Sequence, residues 1–149
     1  MNMLLWIAEW DNVTHVCAVN DYVRIKKKCS SYLDALCHYY GSSYQGRKAM
    51  SAKFLHIRQK VPILVSSKQE LLLFPTQDMR ESTCTWINYR MVKDVKKLGM
   101  YKTRFEFYNG SHISVEMDYR SAQRQIRFCF MFLYQMDLHW NQEIMNVIK

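Results

Sequence analysis

The chain has 149 residues, 49% of them hydrophobic and 14% aromatic, which predicts one domain, residues 1–149, built around a substantial core. With only 4 Gly and 2 Pro it is neither collagen-like nor of low complexity, its aromatic content excludes intrinsic disorder, and no apolar run approaches the about 20 residues of a membrane-spanning helix. The net charge of +8 favours a polyanionic partner, and five cysteines without paired spacing predict free thiols in a reducing cytoplasm.

Three short strands are predicted at the beginning of the chain. Two apolar runs, Leu4–Glu9 and Val13–Val19, flank the pair Asp11-Asn12, which favours a turn. The third run, Tyr22–Lys27, alternates in polarity from one residue to the next, as a strand does.

The pattern then changes to helical spacing. Apolar residues recur every three or four positions up to Tyr40, either Ser30 or Ser31 can cap this helix, and Gly41 suits its end. The next two serines can cap a second, short helix that begins at Tyr44. We therefore predict a central segment that is similar to a helix–turn–helix.

Strand patterns return after the second helix. The predicted strands are Lys53–Arg58, Pro62–Val65, Leu71–Phe74, Cys84–Tyr89, Arg104–Tyr108 and His112–Met117. Asn109-Gly110, between the last two, predicts a hairpin with a two-residue turn. Met91–Leu98 fits either a strand or a helical turn.

Two carboxy-terminal helices follow in the prediction, a long one capped by Ser121 that runs to about Leu138, and a short one after Asn141. The apolar face of the long helix is Ala122, Ile126, Cys129, Phe130 and Leu133. Because strands and helices do not alternate as β-α-β units, the predicted fold class is α+β with a mostly antiparallel sheet.

The positive charge is concentrated in residues 24–60, which contain nine basic residues and one acidic residue, whereas the rest of the chain balances to zero. The nine are Arg24, Lys26, Lys27, Lys28, Arg47, Lys48, Lys53, Arg58 and Lys60. Such a segment favours binding of nucleic acid, although a solvated basic surface that only aids solubility has the same composition. The same two interpretations hold for three arginines that share one face of the long helix, at positions 120, 124 and 127.

No pattern typical of a catalytic or metal site is present. The five histidines are scattered and do not combine with Cys or acidic residues at metal-ligand spacing, and glycine-rich phosphate loops and nucleophile elbows are absent. We therefore predict no enzyme activity, no metal and no cofactor. RNA binding would favour exposed aromatic residues on a sheet, but core packing explains the strand aromatics more simply.

The densest polar stretch is Gly41–Lys48, Gly-Ser-Ser-Tyr-Gln-Gly-Arg-Lys. Its serine hydroxyls and helix-start N–H groups can bind phosphate oxygens, and Tyr44 can stack or form a hydrogen bond. Arg47 can fork a phosphate or enter a narrow minor groove. A plain turn between two helices, with Arg47 and Lys48 solvated, fits the same residues, so both interpretations stay open.

The run Cys37–Lys48, Cys-His-Tyr-Tyr-Gly-Ser-Ser-Tyr-Gln-Gly-Arg-Lys, closely resembles the signature of the ComK family, competence transcription factors of Gram-positive bacteria. Downstream, Lys60–Val65, Leu72–Thr76 and Cys84–Ile87 are similar to that family's K-x-P-I-x-V, F-L-F-P-T and C-x-W-I segments, in the same order. The resemblance covers about residues 5–138.

The resemblance implies a sequence-specific, DNA-binding activator of DNA-uptake genes, located in the cytoplasm at the nucleoid. Such proteins bind double-stranded A/T-rich promoter boxes, largely through the minor groove, as homo-oligomers in which dimers pair into tetramers. It also implies RNA polymerase and an adaptor of a regulatory protease as partners, and no membrane. Longer family members carry a further carboxy-terminal tail linked to activation and proteolysis. The alternative is therefore a truncated paralogue that acts as a protein-interaction module or antagonist.

Together, the charge pattern and the resemblance indicate thirteen candidate DNA-binding residues: Ser42, Ser43, Tyr44, Arg47, Lys48, Lys26, Lys27, Lys28, Arg58, Lys60, Arg120, Arg124 and Arg127. We expect Arg47 to be the most sensitive position for A/T-rich DNA, and the three arginines of the long helix to position the backbone rather than read bases.

Overall fold

The computed structural model describes residues 2–77 and 84–148, which form nine strands and three α-helices. In chain order the elements are β1 (Leu4–Trp10), β2 (Val13–Ala18), β3 (Tyr22–Ile25), α1 (Cys29–Tyr39), α2 (Tyr44–Leu55), β4 (Ile63–Ser66), β5 (Leu71–Pro75), β6 (Thr85–Asn88), a 3-10 turn (Tyr89–Met91), β7 (Val92–Gly99), β8 (Lys102–Phe107), β9 (His112–Val115) and α3 (Tyr119–Ile148). The predicted α+β class with antiparallel sheet is confirmed.

Two antiparallel sheets organise the fold. The larger sheet has the order β3-β2-β1-β6-β5-β4, and the smaller one is the meander β7-β8-β9. One face of the larger sheet packs against α1 through Ile7, Leu33 and Trp86. Its other face packs against the smaller sheet and α3, where the rings of Phe74 and Phe105 lie 5.5 Å apart. Burial of each such side chain contributes about 1.5–3 kcal/mol, so these two clusters hold the layers together.

The first hairpin forms where the sequence predicts it. Asp11 and Asn12 both have positive φ angles, 53° and 60°, and Trp10 pairs with Val13 across the turn. Two successive left-handed residues give the turn that matches the twist of the strands, and Asp and Asn tolerate that conformation best after glycine.

The predicted starts of α1 and α3 are wrong, because in neither helix does a predicted serine occupy the capping position. No side chain of the local sequence caps α1; instead Glu9 of β1 accepts a hydrogen bond of 2.6 Å from the amide of Cys29. Helix α3 begins at Tyr119, so Ser121 lies within its first turn. Hydrogen bonds from Ser121 lower the pKa of Asp118, the residue just before the helix.

The predicted strand Lys53–Arg58 is wrong, because α2 continues to Leu55. The helix ends at His56, which has a left-handed φ of 57° and donates its N–H to the carbonyl of Ala52. The undecided segment Met91–Leu98 is part of a strand, β7.

The hairpin around Asn109-Gly110 is confirmed, but its turn has three residues rather than two. Phe107 donates its N–H to the carbonyl of Ser111 and accepts from Gly110, which leaves residues 108–110 as the loop. Gly110 has a φ of +88°, as the last residue of such a loop requires.

The two predicted carboxy-terminal helices are one continuous helix of 30 residues, α3. Its predicted apolar face is wrong at Phe130, which is 63% exposed, whereas Phe132 is fully buried. All six residues at positions 128–133 are apolar, so the spacing alone does not decide which of them face the sheets.

We expect Glu9→Ala to lower the free energy of unfolding by about 1–2 kcal/mol, because the charged acceptor at the start of α1 is lost. Glu9→Gln keeps an acceptor and should lose less. Urea denaturation measures both, with the exposed Glu116→Ala as the matched control. Equal stabilities of Glu9→Ala and Glu116→Ala would contradict the capping role.

Candidate nucleic-acid interface

The motif Gly41–Lys48 begins with the end of α1. The amide of Gly41 donates to the carbonyl of His38, and the amide of Ser42 donates to the carbonyl of Cys37. This pair of bonds, with Gly41 at a φ of +83°, is a Schellman helix end. The glycine is therefore needed for the turn itself, as the plain-turn interpretation of the motif predicts.

The start of α2 is fixed by two oxygen acceptors. The Oγ of Ser43 accepts from the amide of Gly46 at 3.0 Å, and a carboxylate oxygen of Asp34 accepts from the amide of Tyr44 at 2.9 Å. A Cβ on Gly46 would lie 3.0 Å from that Oγ, so only glycine lets the cap close without a shift. The Ser43 hydroxyl serves the helix as an acceptor and keeps its proton as a donor for a further ligand.

Three of the predicted basic residues meet at one cleft, which we call the basic cleft. It has a volume of about 750 Å³ and lies between the start of α1, the first turns of α2 and the loop of residues 57–61. Its lining includes Lys48, Arg58 and Lys60, together with Tyr44. The acidic residue in the lining is Asp34, whose carboxylate already holds the amide of Tyr44. Because positive side chains outnumber negative ones in its lining, the basic cleft favours binding of an anion.

The loop that carries Arg58 and Lys60 has a fixed backbone. It begins after His56 and ends near Lys60, both with left-handed φ angles of 57° and 53°. The side-chain amide of Gln125, on α3 and only 2% exposed, donates to the carbonyls of Lys60 at 3.0 Å and Pro75 at 2.8 Å. One buried side chain thus ties the loop to the larger sheet and to α3.

The arginines of α3 are all exposed, but the structure gives them different neighbours. Arg124 shares a groove of about 470 Å³ with Arg58 and Lys60. Arg127 lines another groove, with Arg90. Arg124 therefore extends the positive surface of the basic cleft.

Arg47 lies outside the lining of the basic cleft and is half-buried. Its Nε is buried and has no hydrogen-bond partner. Burial raises the pKa of the Cys37 thiol on α1, and the positive charge of Arg47 opposes that rise. The side chain of Arg47 is therefore only partly solvated, which differs from the fully solvated side chain of the plain-turn interpretation.

The three lysines at positions 26–28 are exposed in the connection between β3 and α1. They precede Ser30 and Ser31, which line the basic cleft beside the start of α1. From the sequence these serines were predicted only as helix caps. Gln125 was not predicted as a site residue, although a polar residue between Ala122 and Cys129 on a buried helix face was a usable signal.

The described residues hold no group of three or more His, Cys, Asp or Glu side chains placed to bind a metal ion. Within the same part of the chain, no helix has the length and apolar character needed to cross a bilayer. None of the five cysteines forms a disulfide, and burial raises the pKa of Cys29 to about 12, which keeps this thiol protonated at neutral pH.

Comparison with known proteins gives one family and one relative. The family model described as ComK protein matches residues 3–140. The competence transcription factor of Bacillus subtilis (strain 168) is 33% identical over 110 residues, which cover 68% of this chain and 57% of that protein. The chain therefore spans less than two thirds of this relative's length. No solved structure matches the chain significantly.

We expect Gln125→Met to lower the free energy of unfolding by about 1–3 kcal/mol, because the buried carbonyl of Pro75 and the partly buried carbonyl of Lys60 lose their donor while the side-chain volume is nearly kept. The neighbouring, exposed Gln123→Met is the matched control and should change the value by less than about 0.5 kcal/mol. Urea denaturation compares the two. Equal stabilities would show that Gln125 does not hold the loop.

Proposed function

The chain belongs to the ComK family, and from this premise we propose that it is a competence transcription factor that binds double-stranded DNA. The relative it matches is named for that role. The observation that carries the proposal is the meeting of Lys48, Arg58 and Lys60 at the basic cleft.

The chemistry of the basic cleft suits a phosphate backbone. Cations near a helix start add to the partial positive charge of the unpaired N–H groups there, and Ser30 and Ser31, in the first turn of α1, line the cleft. Arg124, in the adjoining groove, extends the same surface toward α3. A continuous positive surface of this kind binds successive phosphates and supplies the salt-dependent part of the affinity.

We further propose that sequence preference for A/T-rich DNA comes from Arg47. An arginine in a narrow minor groove reads its width, and A-tracts have the narrowest grooves. Because its Nε, which belongs to the guanidinium, is buried, this role requires the two terminal nitrogens of that group to reach DNA while the stem stays packed in the protein. Packing of the stem lowers the entropy lost on binding.

Self-association is the second part of the proposal. Met131, Tyr134, Leu138 and Met145 are exposed and follow a heptad-like spacing along α3. A stripe of this kind on a helix is a surface for pairing with a second copy, which supports action as a homo-oligomer. The preferred boxes, the activation step and its protein partners remain predictions from the family.

We expect Lys48→Gln, Arg58→Gln and Lys60→Gln each to weaken binding to an A/T-box duplex and to a scrambled duplex alike. Each lost phosphate contact should reduce the slope of log affinity against log salt by about one. Fluorescence anisotropy at several salt concentrations measures the slope. Lys97→Gln, exposed on β7, is the control of equal charge change; equal slopes for all four variants would contradict the proposal.

We expect Arg47→Lys to reduce the preference for the A/T box over the scrambled duplex by about 1–3 kcal/mol, because the planar guanidinium is lost while the charge is kept. The ratio of the two dissociation constants measures this preference. Lys48→Arg, at the next position, is the control and should leave the ratio unchanged.

The melting temperature distinguishes recognition from packing at Arg47. An unchanged melting temperature with a reduced ratio would support recognition. A lower melting temperature with an unchanged ratio would assign Arg47 to the junction of α1 and α2.

A further inference from the structure

Four aromatic rings form a cluster on the larger sheet, which we call the aromatic platform. Trp6 and Trp10 lie on β1, His15 on β2 and Tyr22 on β3. The register pairs Trp6 with Cys17, and Cys17 with Tyr22, so their side chains share one face of the sheet. Ile7 and its partner Trp86 point to the opposite face, toward α1. The aromatic platform and the basic cleft therefore lie on opposite faces of the larger sheet.

The rings hold one another in place. Trp10 and His15 are stacked, with ring centres 3.4 Å apart and planes inclined by 7°. The Nδ1 of His15 and the hydroxyl of Tyr22 are hydrogen-bonded at 2.6 Å. Trp6 contacts both ends, at 6.2 Å from Trp10 and 6.1 Å from Tyr22 between ring centres. The platform is thus preorganised, which lowers the entropy lost when a ligand binds.

The platform is not part of a closed core. His15, at its centre, is buried, whereas Trp10 and Tyr22 are each 44% exposed. One face of Trp10 is covered by His15, which leaves large ring surface in water. Clusters of exposed aromatic residues on a protein surface mark binding sites more often than single exposed rings do.

The charges beside the platform are mostly positive. Arg24 pairs with His15 in the register and so shares the face of the rings; its guanidinium lies 6.0 Å from the centre of the Tyr22 ring. The exposed lysines at positions 26–28 follow directly. The acidic residues near the platform are Asp11, in the first turn, and Asp21, whose carboxylate accepts a hydrogen bond from the amide of Tyr22.

We propose that the aromatic platform binds single-stranded nucleic acid. Unpaired bases stack on the open rings of Trp10 and Tyr22, while Arg24 and the following lysines contact the phosphates. A duplex does not offer its base faces, so this mode selects single strands. The site lies on a different face from the basic cleft, and its occupant does not depend on the duplex binding proposed above.

A labelled oligonucleotide of twelve thymidines tests the site on the full chain by fluorescence anisotropy. Trp10→Ala and Tyr22→Ala should each weaken binding about 5–150-fold, the range that loss of one stacked base gives. Tyr22→Phe keeps the ring and should retain most of the affinity. Tyr101→Ala removes a ring that is 71% exposed between β7 and β8, and should leave the affinity unchanged.

The same variants are measured against the A/T-box duplex, so that the two sites are separated. Trp10→Ala should leave duplex binding unchanged, and Lys60→Gln should weaken the duplex more than the single strand. Stacking should also quench tryptophan fluorescence, a readout that does not depend on a variant that folds poorly. Absence of quenching, equal affinities for Tyr22→Ala and Tyr22→Phe, or loss of self-association instead of oligonucleotide binding in Trp10→Ala would each overturn the proposal.

Discussion

The positive surface of this protein depends on one buried amide. Gln125 donates to the carbonyls of Lys60 and Pro75, and thereby joins α3, the larger sheet and the loop after α2. Buried carbonyls without a donor are costly, so this side chain favours the observed position of the loop relative to the helix. Arg58 and Lys60 lie at the surface, but a buried residue of α3 holds the backbone of the loop that carries them.

The larger sheet separates two kinds of surface chemistry. On the side of α1, cations converge at the basic cleft, and Glu9 reaches from β1 to fix the start of that helix. On the other side, Trp6 packs against the core, and the rings of Trp10 and Tyr22 remain partly open. A strand with alternating side chains supplies both surfaces at once, because Glu9 and Trp10 are neighbours in sequence and point to opposite faces.

Local signals in the sequence predicted the elements that local chemistry determines. The left-handed pair Asp11-Asn12 and the glycine end of α1 at Gly41 both form as expected. The errors arise where a distant residue decides, as when Glu9 caps α1 from β1. The site follows the same rule: Lys48 and Lys60 are close in the chain, but Arg124 joins them only because α3 packs beside the loop. The spacing of these residues in the sequence does not predict that contact.

The length of α3 has a consequence for geometry on DNA. At 1.5 Å per residue, its 30 residues span about 45 Å, close to the length of 13 base pairs at 3.4 Å each. If two copies pair along the apolar stripe and bind DNA as proposed, the length of α3 limits how far apart their basic clefts lie. Each residue inserted in α3 between Gln125 and the stripe would move the stripe by about 1.5 Å and rotate it by about 100° relative to the basic cleft of its own copy, which would change both the spacing and the helical phase of the sites that a pair occupies.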